Sequence, residues 1–415
     1  MHIVVIGGGV IGLTTAYYLR LSGADVTLID RNPQPALGGS YANAGSMTAS
    51  RAGPWASPRA IVKTLKGYFD QDSAFKLQLR ADPAQSRWLL GFLRSAYSQH
   101  SSAKRAAMVR LGHDSIQERR KLDDSLRWDY GGIYPHLLSV YENSKDFDAA
   151  VRDVDYLRGL GIAVDVLSIT DCKRLVPQAD WSKLPIVGAT MAADDETGDC
   201  MRFCQAIDRA NADLGVNSRY GLSVTNLDTK HLGHCLVTAG GQEVAADAVV
   251  IAAGVDSVEL ARSQGVRLPI YPVKGYSLSI PLESGQRPTM TIAHERRKVF
   301  VSPSGTGLRA AGVADIVGYN TSLNAERIAL VRRTVVDLFP KAETDQGVES
   351  WSGLRPMTHD GPPIICGFEG TGLWLNTGHG SLGWTLSLGS AKLLSELIGK
   401  RHYQPDNAYF GLSLR

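Results

Sequence analysis

Residues 1–30 read MHIVVIGGGVIGLTTAYYLRLSGADVTLID, and their order decides the fold. His2 to Ile6 is a short, β-branched apolar run that suits a buried strand better than a helix. Gly7, Gly9 and Gly12 follow as GxGxxG. The first glycine permits a tight turn, the second lets backbone approach a pyrophosphate, and the third lets helix and strand pack closely. A helix from Val10 to Ser22, stopped by Gly23, aims its free N–H groups at those phosphates, with Val10 and Ile11 in its first turn. Val26 to Ile29 is the next buried strand, and Asp30 at its end is placed to accept hydrogen bonds from a ribose. Strand, turn, helix, strand and acid in that order predict a dinucleotide site.

Outward from this unit, residues 31–58 are rich in Gly, Ala, Ser, Pro and Asn, a composition that lets a loop lie against a cofactor. Residues 59–130 read as helical, with Trp88, Leu89, Phe92, Leu93, Ala96 and Tyr97 on one face, expected to pack into the core, the alternative being a surface for a partner subunit or a membrane. Gly131 opens a strand region, and a helix stopped by Gly161 follows. The run Asp194-Asp195-Glu196-Thr197-Gly198-Asp199 lacks the alternation of a calcium loop and is expected to be a turn capping the helix Met201 to Leu214. Residues 216–224 and 246–254 return to the nucleotide fold, the second ending in small residues. A gap of this size suits a tightly held FAD better than a diffusible NAD, whose domain continues directly into its second half. Residues 268–320 alternate as antiparallel strands, and a helix follows at ERIALVRRTVVDLF. Near the end, Gly378, Gly380 and Gly383 sit in a turn that opens a long helix. Two glycine-led helix starts far apart in sequence imply a long, two-ended cofactor: a pyrophosphate at one end and the pyrimidine edge of a flavin at the other.

The bulk numbers exclude several classes. With 415 residues, 44% apolar, the chain can bury large cores. Its 44 basic and 41 acidic residues leave a net charge of +3, which gives no general case for nucleic acid binding. The clusters Arg119-Arg120-Lys121 and Arg296-Arg297-Lys298 are expected on solvated surface. The five cysteines form no CxxC and are expected to be reduced thiols. No metal site is expected. The first strand begins at residue 2, so no leader peptide is expected; nor does any run of about eighteen apolar residues predict a membrane span. GxSxG, P-loop and HExxH patterns are absent.

Together IGGGVIGLTTAYYL, SYANAGSMTASRAGPWASP, DDETGDC, PVKGYSLSIP, SGLRPMTHDGPPIICG and LNTGHGSLGWTLSLGSA make a specific set, though no one of them is specific alone. In them the chain resembles the bacterial FAD-dependent D-amino acid dehydrogenases of the D-amino acid oxidase and glycine oxidase superfamily, from about residue 2 to 400. The resemblance implies an α/β (α+β) protein: a Rossmann-like FAD domain of glutathione-reductase type, interleaved with a substrate domain of mixed or antiparallel sheet and helices. The expected division is 1–58, 201–262 and 341–415 for FAD, and 59–200 and 263–340 for substrate. The cofactor contacts expected are Gly7, Gly9, Val10, Ile11, Gly12, Asp30, Arg31, Val224, Ala253 and Gly254 at the nucleotide end. At the flavin end they are Ala42, Asn43, Ala44, Gly45 and Ser46, with Gly378, Gly380, Ser381, Leu382, Gly383 and Trp384.

The resemblance further implies oxidative deamination, with hydride passing from the α-carbon to flavin N5 and electrons going on to a respiratory acceptor. FAD is expected to be non-covalent. Arg355 of GLRP is expected to clamp the substrate carboxylate; the alternative is a structural ion pair with Asp360. Tyr276 is expected either to cover the carboxylate or wall the pocket, or to pack in the core, and His379 to contact flavin rather than act as a base. Trp55 and Met47 either line the pocket or pack in the core. Where relatives present tyrosine-type pocket residues, this chain has His294-Glu295-Arg296-Arg297-Lys298-Val299-Phe300, so the resemblance supplies no second carboxylate partner. Dissociation of the substrate ammonium proton should make activity rise on the alkaline side. Two alternatives stand: oxidation of a secondary amine such as D-proline, cis-4-hydroxy-D-proline, glycine or sarcosine, and a flavin-bearing electron-transfer or assembly subunit of a larger complex. A cytoplasmic location, with or without peripheral attachment to the inner membrane, is expected.

Overall fold

The computed structural model describes residues 1–58, 61, 73–126, 130–230, 233–305, 307–399 and 405–412. Among these, the strand His2–Ile6 is central to a six-stranded sheet. Its parallel neighbours are Asp25–Asp30 on one side and Ala248–Ile251 on the other. Asn217–Tyr220 extends the sheet beyond Asp25–Asp30, and Leu373–Thr377 extends it beyond Ala248–Ile251. Ile364–Gly367 closes that edge antiparallel. Both faces are covered, which is why these short strands read as unbroken apolar runs rather than alternations. The helix Val10–Leu21 covers one face, burying Leu13 and Leu19 completely; each such side chain contributes about 1.5–3 kcal/mol of transfer free energy. The antiparallel strands Val224–Asp228, Cys235–Ala239 and Gln242–Ala246 form a small separate sheet whose apolar residues cover the other face.

A larger mixed sheet is built mainly from Glu349–Thr358, Ile270–Pro281, Gly307–Ile316, Val299–Ser304, Thr291–His294, Tyr134–Tyr141 and Gly188–Thr197, in that spatial order. The helix Ala325–Leu338 packs on one face, with Leu330, Val331, Val335 and Leu338 fully buried. Glu349–Thr358, which the sequence reading places in the last FAD segment, pairs along its whole length with Ile270–Pro281 in this sheet. Ser46–Met47 likewise pairs with Gly188–Thr197. The two sheets therefore meet through segments that pass between them.

Several expectations change. Asp194 to Thr197 is not a turn but the end of the strand Gly188–Thr197; Asp195 is fully buried and Glu196 nearly so. Only Asp199 caps, accepting from Arg202 N at 3.1 Å. The basic clusters are solvated surface only in part: Lys121 and Arg296 are exposed, but Arg119 is 3% exposed and pairs with Glu196 at 2.6 Å, and Arg297 pairs with Asp337 at 2.6 Å. Charge runs mislead here because acids distant in sequence compensate them. On the helix Pro83–Ala96, Trp88 and Ala96 are buried, but Leu93 is 46% exposed and Tyr97, just beyond its end, 74%. Most of the expected helix over residues 59–72, and residues 127–129, lie outside the described residues. The five cysteines are free thiols, and no described helix is long and apolar enough to cross a membrane.

Candidate active site

At the nucleotide end the glycines are needed where the structure puts them. Gly7 has φ +120°, and a Cβ on it would press to 2.5 Å from Ala252 O, in the small-residue end of the strand Ala248–Ile251. A Cβ on Gly12 would overlap the Gly7 carbonyl, so helix and turn can be this close only with glycine. Asp30 holds the turn from the side, accepting from Gly8 N at 2.5 Å and Asn32 N at 2.7 Å. Arg31 pairs with Asp256 at 2.8 Å on the cavity rim. Ser40 Oγ accepts from Val10 N at 3.1 Å. That residue was not singled out from sequence, and its only signal was a serine in the small-residue loop.

At the other end Gly378 and Gly380 have φ +77° and +57°. A Cβ on Gly380 would lie 2.5 Å from Met357 Sδ, which ties this turn to the strand carrying Arg355. The helix Gly383–Ile398 packs on Val10–Leu21, with Thr14 Oγ1 donating to Ser387 O at 3.3 Å. The loop over 42–46 is held by Asn43 Oδ1, which accepts from Gly45 N at 2.9 Å, and by Gly45 O, which accepts from Gly198 N at 2.8 Å. Thr48 N donates to Thr385 Oγ1 at 3.1 Å, joining that loop to the helix.

His379 is buried and its Nε2 lies 3.1 Å from Ser390 Oγ. Burial pushes its pKa down to about 3, so the ring is neutral. Trp384 is buried beside Phe203, with ring centroids 5.8 Å apart, and its Nε1 has no hydrogen-bond partner among the described residues.

Both turns line one cavity of about 1670 Å³, well above the ~300–1,000 Å³ of a drug-sized ligand site. All but one of the cofactor contacts expected from sequence border it: Gly7, Gly9, Val10, Ile11, Asp30, Arg31, Ala42, Asn43, Ala44, Gly45, Ser46, Val224, Ala253, Gly254, Gly378, Gly380, Ser381, Leu382, Gly383 and Trp384. Gly12 alone stands behind the wall, where its contact with Gly7 places it. A cradle that a Cβ would fill, helix N–H groups at both ends and an orphan indole N–H suit a long polar cofactor. Trp55 also lines the cavity, whereas Met47 is fully buried in the core.

Beyond the flavin-end turn the larger sheet forms a floor. Arg355 crosses the neighbouring strand over Gly275, and its Nη1 donates to Val313 O at 2.8 Å. A Cβ on Gly275 would lie 2.5 Å from the guanidinium Cζ. Among the described residues no carboxylate pairs with Arg355; Asp360, the alternative partner, is taken by Lys104 at 2.6 Å, both nearly buried. Burial with no paired anion pushes Arg355 down to about 10, still protonated near neutrality.

Tyr276 borders the cavity, and its ring takes the core-packing alternative. Alternation along the strand turns it to the face opposite Gly275, where its hydroxyl donates to Asp315 Oδ2 at 2.9 Å and its ring joins the core under the helix Ala325–Leu338. Asp315 is itself held by Arg327 at 2.9 Å. Apolar side chains of Trp55, Phe75, Leu77, Trp88 and Phe92 wall the cavity on this side. Arg51, which sequence reasoning missed, also lines it and pairs with Glu295. No local pattern marks Arg51, because its partners come from strands far along the chain. Among the described residues no cluster of His, Cys, Asp and Glu suits a metal ion.

A family profile described as FAD dependent oxidoreductase matches residues 2–397. A D-amino acid dehydrogenase of Sinorhizobium medicae is 38% identical over 408 residues, 98% of each chain. One from Allorhizobium ampelinum is 38% identical over 417 residues, covering 100% of this chain and 98% of its own. Among solved structures, glycine oxidase from Geobacillus kaustophilus superposes with a TM-score of 0.77 at 22% identity, covering 100% of this chain and 98% of its own.

Proposed function

The chain belongs to the DAO family of FAD dependent oxidoreductases, and on that premise we propose that it oxidatively deaminates a D-amino acid. The D-amino acid dehydrogenases it is similar to support that substrate class. The observation that carries the reading is Arg355: a half-buried guanidinium with no described carboxylate partner, in the same cavity as both glycine turns. A cation half withdrawn from water without a paired anion is costly, and a substrate carboxylate relieves the cost while fixing the α-carbon in place.

FAD would be held by the Gly7–Gly12 turn and Asp30 at one end and by the Gly378–Gly383 turn at the other. When bound, it supplies the acceptor for the hydride that leaves the substrate α-carbon. The protein's own part is orientation and exclusion of water. Arg355 holds the carboxylate, the Gly275 gap sets how deep it lies, and the apolar wall from Trp55 to Phe92 keeps the site dry. His379, neutral and bonded to Ser390, supports the flavin-end turn and is not placed as a base. The ammonium proton is therefore lost to solvent before reaction, and turnover rises with pH. Non-covalent binding is supported by a cavity wall whose described residues include no cysteine. Electrons leave to an acceptor other than NAD.

The test is a panel of D- and L-amino acids and secondary amines, assayed on the holoenzyme with a dye acceptor and with oxygen. Turnover of D-amino acids that is strongly reduced by Arg355→Ala is expected. Turnover unaffected by that substitution, or confined to secondary amines, overturns the reading.

A further inference from the structure

The cavity holds a second cationic group that the reaction as described does not use. Arg51 Nη1 donates to Ser139 Oγ at 2.9 Å and pairs with Glu295. Lys298 Nζ pairs with the same Glu295 at 2.5 Å. Two cations thus share one carboxylate. Glu295 stands behind the wall, while Arg51 and Lys298 both face the cavity. The other charges of this turn are accounted for: His294 and Arg296 meet Glu142 at 3.0 and 2.8 Å, and Arg297 meets Asp337 at 2.6 Å. Asp195, on the far side of Arg51, is bonded to Ser50 at 2.5 Å and is off the cavity wall. Lys298 is held at φ +53°, a conformation a lysine adopts only when its surroundings impose it. Three hydroxyls, of Ser139, Tyr141 and Thr190, line the same wall.

Strand register relates this group to Arg355. The guanidinium of Arg355 lies on the Gly312–Val313 carbonyls. On the same face, Ala311 pairs with Phe300, Phe300 with Ala293, and Ala293 with Ser139. The strands of Ala311 and Ser139 are three spacings apart, about 14 Å, and alanines occupy two of the four places in this row, ends included. Arg51 leans back along this floor, its Cζ 5.1 Å from the Phe300 ring centroid. A dicarboxylate with a cation at each end has about this span.

We propose that the substrate carries two carboxylates. Arg355 takes the one beside the reacting carbon, and Arg51 with Lys298 takes one at the end of the side chain, so the enzyme prefers acidic D-amino acids. The inference rests on the D-amino acid reading above.

Steady-state kinetics of the holoenzyme with D-glutamate and D-norvaline test it. In the wild type kcat/KM is expected to favour D-glutamate by at least about tenfold, the effect of one hydrogen bond to a charged group. Arg51→Met and Lys298→Met should each lower the D-glutamate to D-norvaline ratio by about ten- to a hundredfold. Should Arg51→Met not fold, Lys298→Met and a titration of wild-type flavin absorbance with glutarate and with butyrate decide. Tighter glutarate supports the proposal, and equal binding overturns it. A wild type that prefers D-norvaline, or a ratio unmoved in both variants, overturns this inference and leaves the proposed function standing. No turnover of any D-amino acid overturns the proposed function itself.

Discussion

Gly275 leaves the space that the Arg355 guanidinium fills: a Cβ at Gly275 would stand 2.5 Å from Cζ and 2.7 Å from Nη1. The two residues are on adjacent antiparallel strands, Gly275 opposite Gly353 and Arg355 opposite Val273, so the long side chain folds diagonally over the gap. Gly275→Ala should therefore displace the guanidinium without touching the cofactor site. Overpacking of this kind costs about 1–3 kcal/mol. The expected result is a KM raised at least about tenfold with flavin content unchanged, checked by kinetics and by the absorbance ratio of flavin to protein.

Arg355→Met removes the proposed clamp. Losing a charge-assisted, two-pronged contact of about 1.5–3 kcal/mol, with the orientation it provides, should lower kcat/KM by at least about a hundredfold. A bound carboxylate stabilises the native state by mass action. An unreactive carboxylate should therefore raise the Tm of the wild-type holoenzyme by a few degrees and that of Arg355→Met by none, as read by differential scanning fluorimetry.

Gly12→Val tests the nucleotide end. Its Cβ would overlap the Gly7 carbonyl, so the turn must open and its N–H groups lose their aim. The purified variant should be colourless or nearly so, with apparent affinity for added FAD weakened at least about tenfold, measured by flavin fluorescence quenching.

Asp195 gives a pH signature in stability. Burial outweighs its bonds to Ser50 and the nearby Arg51, and pushes its carboxyl up to about 7. Because the folded value exceeds the unfolded one, the native state binds the extra proton between about pH 4 and 7. Stability is fully present below that window, is lost across it by about 1.4 kcal/mol for each pH unit, and levels off once pH has risen through 7. Asp195→Asn, which cannot ionise, should flatten the fall in Tm between pH 5 and 8.

His379→Asn separates support from acid–base work. With its pKa pushed down to about 3 by burial, His379 does not titrate where the enzyme works. The alkaline rise in kcat/KM should therefore persist in the variant, with the loss appearing in flavin affinity. Disappearance of the rise would make His379 the base.

How much was legible differs between the two ends of the site. The glycine turns could be read because each is a local device: close approach and positive φ leave glycine as the residue that fits, and the helix that follows begins within a few residues. Arg355 was singled out through the company its motif keeps, and the structure sets it in the same cavity as both turns. Tyr276 stayed open between pocket and core because the face its side chain takes is decided by the register with Gly307–Ile316 and its shift near Tyr276. The acidic run ending at Asp199 was misjudged for a related reason. Sequence shows the charges, but not Arg119, Arg120 and Ser50 arriving from elsewhere to compensate them.

The sequence by itself determined the parallel nucleotide sheet, its interruption and the two-ended cofactor, because these rest on short-range turn chemistry and apolar periodicity. Only the tertiary structure decided which charges face the cavity. Arg51 and Lys298 are 247 positions apart along the chain, and what sets them together on one wall with Arg355 is the hydrogen-bonded register of the larger sheet and the burial of Glu295 behind them.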